Sequence, residues 1–292
     1  MNKPDIGRVV LWMSGALLSF SLMAVSIREL GGLLNVFEIL SIRSASGVLI
    51  LLMLATWRPQ LCSQLFSGRV GLHTLRNFVN FGGQVSWAQG LTLLPFATVF
   101  ALEFTTPMWV ALLAVIFLGE RLSVSRAGTV VFGFLGVLVI VRPGLESFQP
   151  AALLVLGSAL CFATTSIVTK KLIATESTFT ILFYMNLIQL PLNLAGSNIL
   201  FPAKLGWAHA LPVLGVVISG LSSHFCLTNA FRHGDAIIVM PLDFLRIPLI
   251  AIIAWAFYGE RLDVIVFLGA GLIIAGIVWN LVDEARRRAP PQ

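Results

Sequence analysis

The chain has 292 residues, of which 58% are hydrophobic and only 11% are charged. Soluble domains are about 45–50% apolar and about 25% charged, so this composition excludes an ordinary water-facing surface. The 21 Phe and 7 Trp residues also exclude a disordered chain. The net charge of +6 is better explained by cytoplasmic Lys and Arg beside anionic lipid than by nucleic-acid binding. Continuous apolar runs, rather than alternating segments of about 10 residues, indicate an α-helical membrane protein and not a β-barrel.

In chain order, runs of about 20 mostly apolar residues predict ten membrane-spanning helices. The third span is the least hydrophobic because it contains several Asn and Gln residues, so nine spans is the alternative count. The predicted spans are 9–28, 35–57, 74–94, 96–118, 124–142, 150–169, 178–198, 208–230, 235–257 and 264–282.

Charged residues in the connections predict the orientation of these spans. With the N-terminus inside, 13 of the 19 Lys and Arg residues fall in inner segments, Arg76 among them, and 4 fall in outer segments. Arg43 and Arg246 fall within spans. This bias predicts that both termini lie in the cytoplasm.

The sequence contains an internal repeat. The stretch Leu118-Gly-Glu-Arg-Leu122 recurs 140 residues later as Tyr258-Gly-Glu-Arg-Leu262, and an offset of 142 residues holds nearer the N-terminus. A register that holds across so many positions predicts a duplication rather than chance similarity of apolar segments. The matched pairs include Glu103-Phe104 with Asp243-Phe244, Gln84 with His224, Gly136 with Gly276, Gly15 with Gly157 and Phe20 with Phe162.

Each copy, residues 1–145 and 146–292, holds five predicted spans. Because five is odd, the second copy must enter the membrane upside down. Inverted-topology repeats are typical of secondary transporters that rock about a site near the bilayer midplane. We therefore predict an all-α polytopic membrane protein, with ten transmembrane helices arranged as two inverted five-helix repeats around a central cavity.

The two halves resemble the drug/metabolite transporter superfamily, and more closely its ten-helix EamA-type branch. The resemblance rests on a Gly-Glu-Arg-Leu turn before a glycine-spaced last helix in each half. The overall pattern is similar to the aromatic amino-acid exporters (YddG-type) of that branch. It implies a transporter of the bacterial inner membrane, with helices 1–4 and 6–9 around the cavity and helices 5 and 10 as packing elements. The glycines concerned are Gly128, Gly133, Gly136, Gly269, Gly271 and Gly276.

Four ionisable residues lie deep within predicted spans, where charges are costly and are usually functional. Asp243 and Arg246 are three residues apart on one helix and are expected to pair. Glu103 is expected to pair with Arg43 between helices. Two interpretations stay open: these are fixed pairs that set helix packing, or they change partner during transport and meet the ammonium or carboxylate of a substrate.

The third span carries a polar stripe of Asn77, Asn80, Gln84 and Trp87. Spacings of three, four and three place all four on one helix face. Because amides facing lipid would be left unsatisfied, we expect this face to line a cavity or to bond a neighbouring helix. The inverted counterpart of the stripe contains His224, for which a proton-carrying role and a neutral, hydrogen-bonded role both stay open.

Aromatic residues near these groups are candidates for the apolar walls of a small-molecule site, with ordinary packing as the alternative for each. They are Phe81, Trp87, Phe104, Tyr184 and Phe244.

Three prolines, Pro107, Pro241 and Pro248, punctuate the fourth and ninth spans. Proline bends a helix, so these positions are candidate hinges, with static kinks as the alternative. The Glu and Arg residues of the two Gly-Glu-Arg-Leu turns are expected to cap turns at the membrane edge and to contact neighbouring loops, not to bind substrate.

Motifs for other function classes are missing from the sequence. There is no HExxH, GxGD or GxxxxGK[ST] pattern, so metalloprotease, aspartyl protease and ATP-driven pump lack their required groups, and we do not expect an enzyme. The three cysteines have no metal-binding spacing, so no metal or cofactor is expected. A channel would need rings of like groups, whereas this chain has paired charges and an inverted duplication.

The predicted function is a secondary transporter that exports amino acids, aromatic or of broad range, or similar small metabolites by alternating access. Balanced charges, amides and aromatic rings suit a zwitterion. The alternatives are a multidrug or lipophilic-cation exporter, which needs an unpaired acid, and a nucleotide-sugar or cofactor carrier, which needs surplus Lys and Arg for phosphates. The expected partners are a small-molecule substrate and membrane lipid, without nucleic acid, and the expected state is a monomer or weak homodimer.

Overall fold

The structure is a computed structural model that describes residues 5–94, 99, 102–103, 105–120, 123–141, 150–258 and 264–286. Within these ranges it contains eleven α-helices, four short 3₁₀ helices and no β-strand. The α-helices are α1 (Ile6–Leu30), α2 (Val36–Trp57), α3 (Val70–Leu93), α4 (Thr106–Leu118), α5 (Val124–Val141), α6 (Ala151–Leu172), α7 (Thr178–Ala195), α8 (Ala210–His233), α9 (Ala236–Val239), α10 (Arg246–Tyr258) and α11 (Val264–Arg286). The 3₁₀ helices are Pro59–Leu65, Phe201–Lys204, Trp207–His209 and Met240–Leu245.

Every predicted span contains at least one α-helix, so the all-helical membrane fold is confirmed. Six stretches of the described residues are both long and apolar enough to cross a bilayer. The helix α3 is long enough but is not one of them, because the polar stripe lowers its hydropathy. The ninth predicted span is broken: α9 leads into the 3₁₀ helix Met240–Leu245, and α10 begins at Arg246.

The predicted hinge prolines lie where helical elements begin. Pro107 is in the first turn of α4 and Pro241 in the first turn of the 3₁₀ helix, while Pro248 is the third residue of α10. The missing N–H of a first-turn proline costs little, because that group has no intrahelical partner. None of the three therefore kinks the interior of a described helix, and a hinge role for them stays a prediction.

The helices pack in pairs that respect the internal repeat. Helix α1 packs on α8, and α6, the repeat counterpart of α1, packs on α3, the counterpart of α8. Helix α2 packs on its own counterpart α7, and α5 packs on its counterpart α11. This arrangement is that of two inverted halves related by an approximate two-fold axis, as the duplication predicts.

The pair α5 and α11 joins the two halves through closely packed glycines. A Cβ atom at Gly128 would overlap the ring of Trp279, and one at Gly276 would overlap the Phe132 side chain. The Thr129 hydroxyl also donates to the Gly276 carbonyl at 2.8 Å. These contacts are those expected for packing elements set aside from a cavity.

The first Gly-Glu-Arg-Leu turn is tied to the second half of the protein. The backbone N–H of Ala236, at the start of α9, donates to Glu120 Oε1 at 3.0 Å. The Lys170 ammonium meets the end of α8, donating to the Phe231 carbonyl at 2.7 Å. Glu120 thus has the capping role expected from the sequence; Glu260, its counterpart in the second turn, lies outside the described residues.

Candidate substrate cavity

A cavity lies between α1, α2, α3, α6, α8 and the broken ninth span, with about 1030 Å³ of empty space including the part open to the exterior. In the part of the chain that the structure describes, no group of His, Cys, Asp and Glu is arranged to hold a metal ion. The polar residues that line the cavity are Arg43, Arg76, Asn80, Gln84, Glu103, Thr106, Thr165, Ser166, Thr169, Ser223, His224, Thr228, Asp243 and Arg246.

Glu103, Asp243 and Arg246 form one charged group, which we call the acidic pole. Arg246 Nη2 lies 3.0 Å from Glu103 Oε1 and also pairs with Asp243. The indole N–H of Trp87 donates to Glu103 Oε2 at 2.7 Å, and the Arg246 guanidinium lies 5.1 Å from the centre of the Phe20 ring. Charges this deeply buried need such partners, because their hydration is lost.

The expected pairing of Glu103 with Arg43 is wrong. Arg246 stands at the start of α10, immediately after the break in the ninth span, and from there it reaches both carboxylates. Glu103 and Asp243 are repeat counterparts, so one residue from each half meets at the same guanidinium.

Arg43 belongs to a second polar group, the amide ring, which consists of Arg43, Gln84, Asn80 and Gln189. Arg43 Nη2 donates to Gln84 Oε1 at 2.8 Å and to Gln189 Oε1 at 2.5 Å. The amide nitrogens of both glutamines donate to Asn80 Oδ1, that of Gln189 at 2.9 Å, which closes the ring. Arg43 is only 4% exposed and its Nε has no hydrogen-bond partner in the described chain.

A glycine on α8 lets Arg43 reach the ring. A Cβ atom at Gly220 would overlap the Cγ of Arg43, so the arginine stem crosses the helix at a position without a side chain. In the sequence, Gly220 is notable only because the repeat aligns it with Asn80 in the stripe of α3. Its role as a passage for Arg43 depends on tertiary packing.

Arg76 is a cavity residue that sequence reasoning missed, because its position near a span end placed it with the inner basic residues. It is 2% exposed and lines the cavity. Its Nε donates to Thr169 Oγ1 at 2.7 Å and its Nη1 to Asn77 Oδ1 at 3.0 Å. The signal was present, since Arg76, Asn80 and Gln84 follow one another at intervals of four on a single helix face.

Gln189 was also missed, although the same kind of signal exists on α7. Asn186, Gln189 and Asn193 recur at intervals of three and four and are all buried. Asn193 donates to the Ser44 hydroxyl on α2 at 3.0 Å. A second polar stripe therefore packs against α2, and only its middle member, Gln189, also reaches Asn80 of the first stripe.

The other predicted residues divide into two sets. Asn80, Gln84, Trp87 and His224 line the cavity, and the His224 ring meets Phe20 edge to face at 5.7 Å between ring centres. Four others, Asn77, Phe81, Tyr184 and Phe244, lie beside the cavity or away from it. Asn77 accepts a hydrogen bond from Arg76, and Phe244 occupies the space that a Cβ at Gly133 would need. Between ring centres, Phe81 is 6.3 Å from Phe37 and Tyr184 is 4.5 Å from His73, on which it stacks. Phe104 lies outside the described residues.

Comparison with known proteins identifies the family. The model of the EamA-like transporter family matches twice, over residues 7–142 and 149–282. The chain is 30% identical to an S-adenosylmethionine uptake transporter of Rickettsia felis over 276 residues, which is 94% of this chain and 92% of that protein. It is 32% identical to a riboflavin transporter of Rhizobium johnstonii over 72% of this chain and 69% of that protein. It is 29% identical to a pseudopaline exporter of Pseudomonas aeruginosa over 92% of this chain and 96% of that protein.

These names give no support to the expected likeness to aromatic amino-acid exporters. They do agree on the coarser function, because each relative is named as a transporter of a small molecule. Since the family model covers both halves of the helical bundle around the cavity, the chain belongs to the EamA-like transporter family and is a small-molecule membrane transporter.

Proposed function

We propose that this transporter carries zwitterions derived from amino acids by alternating access. The observation that supports this most directly is that one stretch of α3 holds two oppositely charged groups from other helices. Gln84 holds Arg43 of the amide ring, and Trp87, three residues further on, holds Glu103 of the acidic pole. Three residues correspond to about 4.5 Å along a helix, so the two residues that hold these groups are less than one turn apart.

An α-amino acid carries an ammonium and a carboxylate on one carbon. A ligand of this kind, placed beside the Gln84–Trp87 turn, would present its carboxylate to Arg43 and its ammonium to Glu103 and Asp243. Two carboxylates share Arg246, so within the described residues the acidic pole keeps one negative charge for a ligand cation. The Arg43 Nε is a donor without a partner in the described chain, and a ligand carboxylate would satisfy it.

The inverted repeat supports a carrier mechanism. Glu103 comes from the first half, whereas Asp243 and Arg246 both belong to the second, so rocking of one half against the other would change the distance from Glu103 to Arg246. Substrate binding at this point would therefore be coupled to the rearrangement that opens one side and closes the other.

The alternatives from the sequence fit the cavity less well. A lipophilic cation could meet the acidic pole, but it carries no carboxylate for the unpartnered Arg43 Nε. Among the names of the relatives, S-adenosylmethionine contains an α-amino acid group and riboflavin does not. We therefore infer that S-adenosylmethionine is the first compound to test, followed by aromatic amino acids.

The cellular setting is part of the same proposal. We place the protein in a bacterial inner membrane with both termini in the cytoplasm, on the strength of the excess of Lys and Arg in the inner segments. Cysteine labelling of single-Cys variants from each side of intact cells would test it. Labelling of a C-terminal cysteine by an impermeant reagent added outside would contradict the orientation.

Counterflow in proteoliposomes tests the transport proposal. The panel contains S-adenosylmethionine, L-phenylalanine, riboflavin and phenethylamine, which is phenylalanine without its carboxylate. We expect saturable, trans-stimulated uptake of one or both of the compounds that contain an α-amino acid group, and no uptake of phenethylamine. Uptake of riboflavin alone, or equal uptake of phenylalanine and phenethylamine, would contradict the proposal.

A further inference from the structure

We propose that the cargo carries a second carboxylate, which binds at the Arg76 end of the cavity, defined here by Arg76, Thr165 and Thr169. This inference rests on the proposed function and narrows its substrate class to amino acids whose side chain ends in an acid. The α-amino acid group would lie at the Gln84–Trp87 turn and the second acid further along α3.

The first reason for placing a carboxylate here is that the Arg76 guanidinium lacks an anionic partner among the described residues. It is buried at the cavity wall, and two of its three nitrogens donate to uncharged oxygens, those of Thr169 and Asn77. In the described part of the chain its Nη2 has no hydrogen bond and no carboxylate pairs with it. A buried guanidinium without an anion is costly, and a ligand carboxylate would supply the missing partner.

Buried hydroxyls provide further donors around it. Thr165 lies one turn before Thr169 on the same face of α6 and lines the cavity, yet its buried Oγ1 has no partner among the described residues. The same is true of Ser223 Oγ on α8. A hydroxyl donates readily to a carboxylate oxygen, so these groups and Arg76 form a set of unused donors facing one space.

The charge of the cavity agrees with one additional anion. Its described lining contains three arginines but only two carboxylates, Glu103 and Asp243, which leaves a surplus of one positive charge. Arg43, Arg76 and His224 line this same cavity. A zwitterion leaves that surplus unchanged, whereas a zwitterion with one extra carboxylate cancels it.

The helix register sets the position of the second acid. Arg76 and Gln84 are eight residues apart, which is about 12 Å along α3. The second carboxylate must therefore be carried at the far end of the cargo. A single charge in surplus favours a carboxylate over a doubly charged phosphate.

Binding to the purified protein in nanodiscs tests this inference. The probes are L-glutamate, L-2-aminoadipate, L-2-aminopimelate and L-2-aminosuberate, each compared by calorimetry with the amide of its side-chain acid. An acid and its amide have nearly the same shape, so the difference isolates the charge. We expect at least one of the longer acids to bind about tenfold tighter than its amide, which corresponds to about 1.4 kcal/mol.

Variants assign this preference to Arg76. We expect Arg76→Gln to bring the acid down to the affinity of the amide without weakening the amide, and Arg76→Lys to keep part of the preference. Arg69→Gln is the matched control, because Arg69 precedes α3 and is exposed, so its removal should leave the preference unchanged. If Arg76 only fixed α3 to α6, Arg76→Gln would lower stability but preserve the ratio, and that result would overturn the inference.

The wild-type protein decides the matter even if Arg76→Gln does not fold. Equal binding of acid and amide at every length, or no binding of any acid, would overturn the second-carboxylate site. Equal binding together with counterflow of phenylalanine or S-adenosylmethionine would leave the proposed function standing. Failure of counterflow with phenylalanine, S-adenosylmethionine and the four acidic amino acids alike would count against the proposed function itself.

Discussion

The acidic pole and the amide ring hold buried arginines in opposite ways. Arg246 pairs with two carboxylates and lies over an aromatic ring, and these contacts exist without any ligand. Arg43 has only amide oxygens among its described hydrogen-bond partners. The difference indicates that the charge of Arg246 is balanced in the empty protein, whereas Arg43 has no carboxylate partner among the described residues. In our proposal a ligand anion supplies that partner.

The largest expected effect is on stability, at the acidic pole. Replacing Arg246 with Gln leaves the buried Glu103 and the partly buried Asp243 with no pairing guanidinium. Breaking a buried ion pair by removing one partner costs about 3–5 kcal/mol. Unfolding in detergent by heat or denaturant should show this loss. The double variant Arg246→Gln with Glu103→Gln should recover part of the lost stability. If Arg246→Gln lowered stability no more than Arg43→Gln does, the contrast between the two groups would disappear.

The next effect is on binding, at the amide ring. Arg43→Gln removes hydrogen bonds to a charged group, worth about 1.5–3 kcal/mol with the ligand carboxylate, so affinity should fall about tenfold to a hundredfold. Stability should change less than in Arg246→Gln, because no carboxylate in the described chain depends on Arg43. Titration of the purified variant with the transported compound measures the first quantity. Unchanged affinity would show that the ring does not meet the cargo.

Gly220→Ala tests the same ring indirectly. The new Cβ would push against the Arg43 stem, and overpacking of this kind costs about 1–3 kcal/mol. We expect a raised KM for transport together with lower stability. Gly82→Ala is the control on α3, because nothing lies within 4 Å of a Cβ there, and it should be neutral or slightly stabilising.

The smallest expected effect is that of Trp87→Phe. An aromatic ring is kept, but Glu103 loses the indole donor. We expect a cost of about 1.5 kcal/mol, the low end for a hydrogen bond to a charged group, because Arg246 still pairs with Glu103. Since Arg246 still holds Glu103, the protein should fold and transport with a moderately changed KM. Trp57→Phe, at an exposed helix end, is the control. If Trp87→Phe were as damaging as Arg246→Gln, the ion pair would not be the main support of Glu103.

Much of the fold could be predicted from the sequence, because each relevant pattern is local. Lipid requires long apolar helices, and the duplication of the Gly-Glu-Arg-Leu turn requires inversion of a five-helix unit. The α3 stripe was also predictable, since Asn80, Gln84 and Trp87 would be unsatisfied in lipid. These patterns are set by the solvent and by helical periodicity alone.

Partner choice could not be predicted in this way. Glu103 pairs with Arg246 and not with Arg43 because the ninth span breaks just before Arg246. The prolines there indicate a break, but they do not indicate which way the chain continues after it. Arg76 was misplaced because a count of basic residues by segment does not distinguish a side chain that points outward from one that points into a cavity. Gln189 became a ring member only through the packing of α7 on α2.

The amide ring also has a direction. Arg43 can only donate, so Gln84 and Gln189 must turn their oxygens toward it, and their nitrogens then face Asn80, which must present its own oxygen to both. One arginine thus dictates the orientation of three amides, none of which is free to flip. Because the Asn80 oxygen accepts from both glutamines, Asn80→Asp would keep both of these donors satisfied. The carboxylate introduced by that substitution would be linked to Arg43 through a single glutamine. Its negative charge would compete with the proposed anion of the cargo for the positive charge of Arg43.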